Sequence, residues 1–122
     1  DQNRILKIQS GCAIGLAPYP DDNRTRKKFG DVIKIRMYFA SGLPTISTNV
    51  PPVYKEIISE KLGIVVKKKL IKGFARNIIK LLSNKKKLRM LQKNVINKSM
   101  NSSWDKTFTK ALNNDEKLQI QL

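Results

Sequence analysis

The residues able to do chemistry gather around one predicted helix start. Lys34 stands in the run Asp31-Val32-Ile33-Lys34-Ile35-Arg36-Met37. A helix beginning near Val32 offers unpaired N–H groups and the positive end of its dipole, and both favour an anion. A lysine in that first turn is unfavourable by roughly a few tenths of a kcal/mol. A bound phosphate would reverse the sign, whereas a lysine pointing to water needs no ligand. Asp21-Asp22 is the sole adjacent pair of carboxylates on a predicted loop, and it reads as a solvated turn before it reads as an acid–base pair. Ser47-Thr48-Asn49 follow a predicted strand, where such groups contact ligands but as readily close local turns. Histidine is absent, which removes the usual general base and the usual zinc ligand. Cys12 is the single cysteine, so no intrachain disulfide or cysteine metal cluster can form, and a reducing compartment is fitting. Glycine-rich loops of the Walker or dinucleotide type are missing. No catalytic, metal or cofactor-binding residue is assigned.

These groups can act only if the chain around them places them. Asp31 is a good helix cap, because its carboxylate can accept from the first N–H groups. Val32 to Ala40 reads as a helix, with Val32, Ile35 and Phe39 on one face and Ile33, Met37 and Ala40 on another. Gly42 ends it in a left-handed conformation. Pro44 to Ser47 is the next strand. Upstream, residues 2 to 9 read as a helix with Ile5, Leu6 and Ile8 on one face, and Ala13 to Ala17 as a buried parallel strand. The long polar stretch from 18 to 30 reads as a functional loop. Downstream, Val53 to Glu60 is a short helix after Pro51-Pro52, Gly63 caps it, and Ile64 to Val66 is a third strand. Then come helices marked by Phe74, Ile78, Leu81 and Leu82, by Leu88, Leu91, Val95 and Ile96, and by Phe108, Ala111 and Leu112 after Ser103-Trp104-Asp105. Asp115 to Leu122 are expected to fray.

The predicted class is therefore α/β: about three parallel strands, flanking helices and a helical C-terminal tail. Ligands of such sheets bind beyond the carboxyl ends of the strands. Here that edge holds residues 18–31, 48–51 and 67–70.

The chain has 122 residues, 40% of them hydrophobic, enough for one domain with one core. Lys and Arg number 25 against 9 Asp and Glu, a formal net charge of +16. Such charge attracts phosphate-rich partners or simply solvates helix faces. Aromatic residues do not interleave with the basic clusters as base stacking requires, so nucleic acid is not the expected partner. No apolar run reaches membrane-spanning length and no signal peptide is visible. The expected location is cytoplasmic, with an anionic membrane surface as a partner the charge allows. The first residue is Asp1 rather than Met, which reads as a fragment or a processed product.

Taken in order, "CAIGLAPYP", "DVIKIRMYFASGLPTISTNVPPVYKEII", "LGIVV", a helix pair and "SSWDKTFTKAL" resemble the C-terminal part of group 1 glycosyltransferases of the GT-B class, over roughly residues 5 to 112. The resemblance implies a Rossmann-like domain that holds a nucleotide-diphosphate sugar. It implies that backbone N–H groups of Asp31, Val32 and Ile33 lie against the diphosphate and sugar, with Lys34 beside them. Many members carry two glutamates eight positions apart, one for the transferred sugar and one for the ribose. By position these are Phe29 and Met37 here, and neither can accept a hydroxyl's hydrogen bond.

The expectation is thus that residues 1–122 are the C-terminal portion of a nucleotide-sugar-binding domain. Its first strands and the acceptor domain would lie elsewhere, and it would have little or no activity alone. Asp31, Val32, Ile33, Lys34 and Met37 are the expected donor-binding residues. An uncovered sheet edge would favour self-association. Two alternatives stay open: a degenerate Rossmann-like binding module, and a basic domain that binds polyanions or a membrane surface.

Overall fold

The computed structural model describes residues 1–21, 30, 32–67, 71–102, 106, 109 and 111–113. The elements run α1 (Gln2–Ser10), β1 (Gly15–Ala17), α2 (Ile33–Ala40), β2 (Thr45–Thr48), α3 (Tyr54–Ser59), β3 (Gly63–Val66), α4 (Ile71–Ser83) and α5 (Lys85–Asn101). Lys106, Thr109 and Ala111 to Asn113 are helical as well. The rest of the third predicted C-terminal helix, and the tail expected to fray, lie outside the described residues.

The three strands are parallel, in the order β1-β2-β3. Gly15 pairs with Thr45, and Thr45 with Gly63. Side chains alternate along a strand, so this register sorts the sheet into two unlike faces. One carries Gly15, Ala17, Thr45, Ser47, Gly63 and Val65. These are mostly small residues, and small residues let helices approach closely. Val32, Ile35 and Phe39 of the α2 segment, Val53 and Ile57 of the α3 segment, and Val95 of α5 form a core with Ala17 on this side. The other face carries Leu16, Ile46, Ile64 and Val66. Leu81 of α4 and Leu91 of α5 close over Ile46 and Val66, with Phe74, Ile78 and Leu88 around them. Each fully buried aliphatic side chain contributes roughly 1.5–3 kcal/mol. The two clusters are therefore the main source of stability.

The helix ends explain where the strands begin. At the end of α2, the Gly42 N–H donates to the Phe39 carbonyl and the Leu43 N–H to the Tyr38 carbonyl, 3.0 and 2.9 Å. With Gly42 at φ 74°, this is the paired bonding that ends a helix on a left-handed residue. The end of α3 repeats the pattern with a different residue. The Lys61 N–H donates to Ile58 and the Leu62 N–H to Ile57, and Lys61 is left-handed at φ 53°. Gly63 is therefore not the cap. It is the first residue of β3, and a Cβ there would collide with the backbone carbonyl of Thr45 on β2. Its lack of a side chain serves strand pairing rather than helix termination.

Two other expectations shift. The cap position of α2 is Val32, which is extended and makes no side-chain cap bond. Its side chain is instead 2% exposed and part of the core, so packing sets the start of this helix. Asp31, expected to cap it, lies outside the described residues. The expected apolar face of the first helix is not a core face. α1 buries no residue, and Ile5 and Ile8 are exposed. Asp1 caps it, its carboxylate accepting from the Asn3 N–H at 3.0 Å.

Candidate functional site

Behind the carboxyl ends of β1 and β2, the chain ties itself together. The Thr48 hydroxyl donates to the Tyr19 carbonyl at 2.8 Å and the Ser47 hydroxyl to the Thr48 carbonyl at 3.0 Å. Both residues are buried. The Ser47 hydroxyl closes a local contact, the alternative that the Ser-Thr-Asn spacing left open, whereas the Thr48 hydroxyl ties the end of β2 to the segment after β1. Tyr19 and Tyr38 flank β1, and burial pushes both phenols above their ordinary range. The Tyr38 hydroxyl donates to the Leu16 carbonyl at 3.0 Å, and its ring lies where a Cβ on Gly15 would stand.

The N-terminus of α2 stands at this same edge, since the helix returns from the carboxyl end of β1 towards the start of β2. The Ile35 and Arg36 N–H groups both donate to the Val32 carbonyl. The N–H groups of Ile33 and Lys34 precede the first helical donor, Ile35, as the first turn of any helix requires. Lys34 and Ile33 are exposed, Met37 is half-buried and Val32 is buried. The structure thus places Ile33 and Lys34 in the first turn of α2 and Met37 one turn further along, and turns the Val32 side chain away into the core. Asp31, Phe29 and Asp22 are outside the described residues.

Ile33 and Met37 also line a groove of about 530 Å³ between α1, α2 and α5, with Leu6, Gln2 and Ser102 across from them. Met37 packs an apolar wall at a position where a carboxylate would instead present charge. At the groove's inner side lies a charge cluster. Arg36 Nη1 is 3.0 Å from Glu56 Oε1, and Lys98 Nζ is 2.8 Å from Glu60 Oε2 and bonded to Glu56 as well. Burial raises the Glu56 carboxyl, but the bonds from Arg36 and Lys98 outweigh it and hold the group below its ordinary range. Burial lowers the Lys98 ammonium, and its bonds to Glu56 and Glu60 outweigh that in turn. The cluster joins α2, α3 and α5. Sequence reasoning missed it, although a signal was present: Glu56 and Glu60, four apart on one helix, are the sole acidic residues between Asp31 and Asp105.

Among the described residues, no group of His, Cys, Asp and Glu side chains could hold a metal ion. No described helix is long and apolar enough to cross a membrane.

The family model for glycosyl transferases group 1 matches residues 38–98, from Tyr38 through Lys98. The chain belongs to this family. Comparison with curated proteins and with solved structures returned no match. In this family member the matched span holds the last turn of α2 from Tyr38, then β2, α3, β3, α4 and most of α5. It includes the Gly42 turn, the Gly63 strand contact and three members of the charge cluster, Glu56, Glu60 and Lys98, while Arg36 precedes it. The first turn of α2 and Met37 lie immediately before it.

Proposed function

We propose that these residues form the donor-side part of a group 1 glycosyltransferase, which transfers a sugar from a nucleotide-diphosphate sugar and needs the acceptor side for turnover. The first turn of α2 receives the diphosphate. The backbone N–H groups of Ile33 and Lys34 supply donors to its oxygens, and the Lys34 ammonium supplies a full positive charge. Asp31 and Val32 complete the loop that leads into that turn. The observation that carries this reading is the exposure of Lys34 on a helix start at the carboxyl edge of a parallel sheet, in a chain of this family. Such edges are where ligands of open α/β sheets bind.

Group transfer at such a site is a matter of holding the leaving diphosphate while the anomeric carbon is attacked. Charge accumulates on the departing phosphate oxygens. A helix start with a lysine stabilises that charge more than it stabilises the intact donor. Calorimetry of nucleoside diphosphates against their parent nucleosides tests the assignment on the full-length protein. Lys34→Ala should weaken diphosphate binding by roughly 1–3 kcal/mol and leave the nucleoside unchanged. An unchanged advantage of the diphosphate would remove Lys34 from the site.

One observation favours a second reading. Met37 is half-buried in an apolar groove wall, and with Phe29 it replaces both glutamates common in the family. A binding module that retains the nucleotide site without turnover accounts for that. Donor binding without sugar transfer or donor hydrolysis, in the full-length protein, would select it.

A further inference from the structure

The α4–α5 pair carries a charge pattern that donor binding does not use. No acidic residue occurs between Glu60 and Asp105. Within this span α4 presents Lys72, Arg76 and Lys80 to solvent, and α5 presents Lys85, Lys86, Lys87, Arg89 and Lys93. One residue, Asn84, joins the two helices, and the junction from Leu82 to Lys87 is exposed throughout. The inner sides of both helices are already committed, with Leu81, Leu91, Phe74, Ile78 and Leu88 packed against the sheet.

The outer face is not purely ionic. Ile79 is 66% exposed, Leu82 48% and Met90 43%. At 100° per residue, Ile79 lies on the same stripe of α4 as Lys72, Arg76 and Ser83, and Met90 lies beside Lys86 and Lys93 on α5. Large aliphatic side chains in the middle of a basic, acid-free face have no role in binding a phosphate polymer. A nucleic-acid surface would place aromatic rings there for the bases. Phe74, the sole aromatic residue of α4 and α5, is instead packed inward.

We infer that the outer face of α4 and the first half of α5 docks on an anionic lipid surface. The lysines and arginines meet the headgroup charge, while Ile79, Leu82 and Met90 enter the boundary between headgroups and acyl chains. The pairing of charge and apolar side chains matches an interfacial surface on both counts. Because α2 and α3 cover the opposite face of the sheet, docking leaves them open.

Co-sedimentation of the full chain with phosphatidylcholine vesicles, with and without phosphatidylglycerol, tests this. Binding to the anionic vesicles alone, weakening as salt rises, is the expected result. Arg76→Gln and Lys86→Gln should each lower the partition coefficient about fivefold. Ile79→Ser with Met90→Ser should lower it about tenfold at unchanged charge. Lys55→Gln on α3, on the opposite side of the sheet, should leave it unchanged. All five positions are exposed, and far-UV circular dichroism confirms that each variant stays folded. Equal binding to neutral vesicles would overturn the inference. So would equal losses from Lys55→Gln and Arg76→Gln, which would mean that net charge alone is sensed. Insensitivity to the Ile79 and Met90 changes, with displacement by an RNA homopolymer, would assign the face to polyanions instead.

Discussion

Lys61 and Gly63 sit two residues apart, and a local reading of the sequence gives Gly63 the role that Lys61 holds. Glycine after a short helix reads as its cap, yet Lys61 holds the left-handed conformation at φ 53° and Gly63 begins β3. Two substitutions separate the readings. A left-handed non-glycine residue costs about 1–2 kcal/mol, while adding a glycine loosens the unfolded chain by about 0.4–1 kcal/mol. Lys61→Gly should therefore stabilise the fold by up to about 1 kcal/mol. Gly63→Ala works the other way. Its Cβ would overlap the Thr45 backbone carbonyl, and that backbone is held in the central strand by pairing on both sides. No rotamer change relieves the clash, so β3 must separate from β2. The cost should reach or exceed about 3 kcal/mol, the upper end for an overpacked core. Since domains are typically stable by only about 5–15 kcal/mol, this is a large loss. Urea titration followed by circular dichroism measures both. If Gly63→Ala changed stability by less than about 0.5 kcal/mol while Lys61→Gly destabilised, the assignment of the turn to Lys61 would be wrong.

Other expectations follow from the same packing. Thr45→Val should stabilise by about 1–2 kcal/mol, because the Thr45 hydroxyl is buried without a hydrogen-bond partner and the replacement keeps its shape; a loss in thermal melting would show that the hydroxyl is satisfied. Glu56→Gln should cost about 1–2 kcal/mol after allowance for partial exposure. Because the folded Glu56 carboxyl is held below its ordinary 4.5, its contribution is present above that pH and lost as pH falls through the folded value, so the variant should unfold with a shallower acid dependence; identical acid limbs in the two proteins would refute the pairing. Self-association through the β1 edge is expected from exposed Leu16, and Tyr38→Phe should strengthen it by freeing the Leu16 carbonyl. Sedimentation velocity that shows monomer for both proteins at high concentration would count against an active edge.

What the sequence made legible was what neighbouring residues decide. The helix–turn–strand at Gly42 depends on residues within one turn of each other, and both its bonding and its left-handed glycine are as the pattern implied. The order of strands and helices is likewise local, since short apolar runs between glycines and prolines mark it. The strand boundaries differ by one or two residues, as with Thr45–Thr48 in place of Pro44 to Ser47. Most of the unread features involve partners distant in sequence, the left-handed Lys61 being a local exception. Gly63 needs its neighbour Thr45, eighteen positions away, to reveal its purpose. The Arg36–Glu56–Lys98 contacts join three helices. Whether an apolar helix face is covered also depends on what packs there, and so Ile5, Ile8, Leu82 and Ile96 kept a helical period yet remained exposed.

The same division runs through the candidate site. Lys34 could be placed on a helix start because capping, dipole and strand alternation are local rules. Met37 could be compared with a family position because spacing along α2 is fixed. How that helix is held could not be read, because its support is tertiary. Val32 anchors the first turn by burial rather than by a polar cap. One turn later Arg36 is bound to Glu56, which Lys98 holds in turn. These contacts resist rotation of α2 about its axis, and such a rotation would carry Lys34 away from the sheet edge. A site built from backbone N–H groups depends on orientation more than on side-chain identity. In the proposed arrangement the charge cluster would therefore serve the site as well as the fold. Glu56→Gln should lower affinity for a nucleoside diphosphate even at temperatures where the protein stays fully folded, although Glu56 itself touches no ligand in the proposed arrangement.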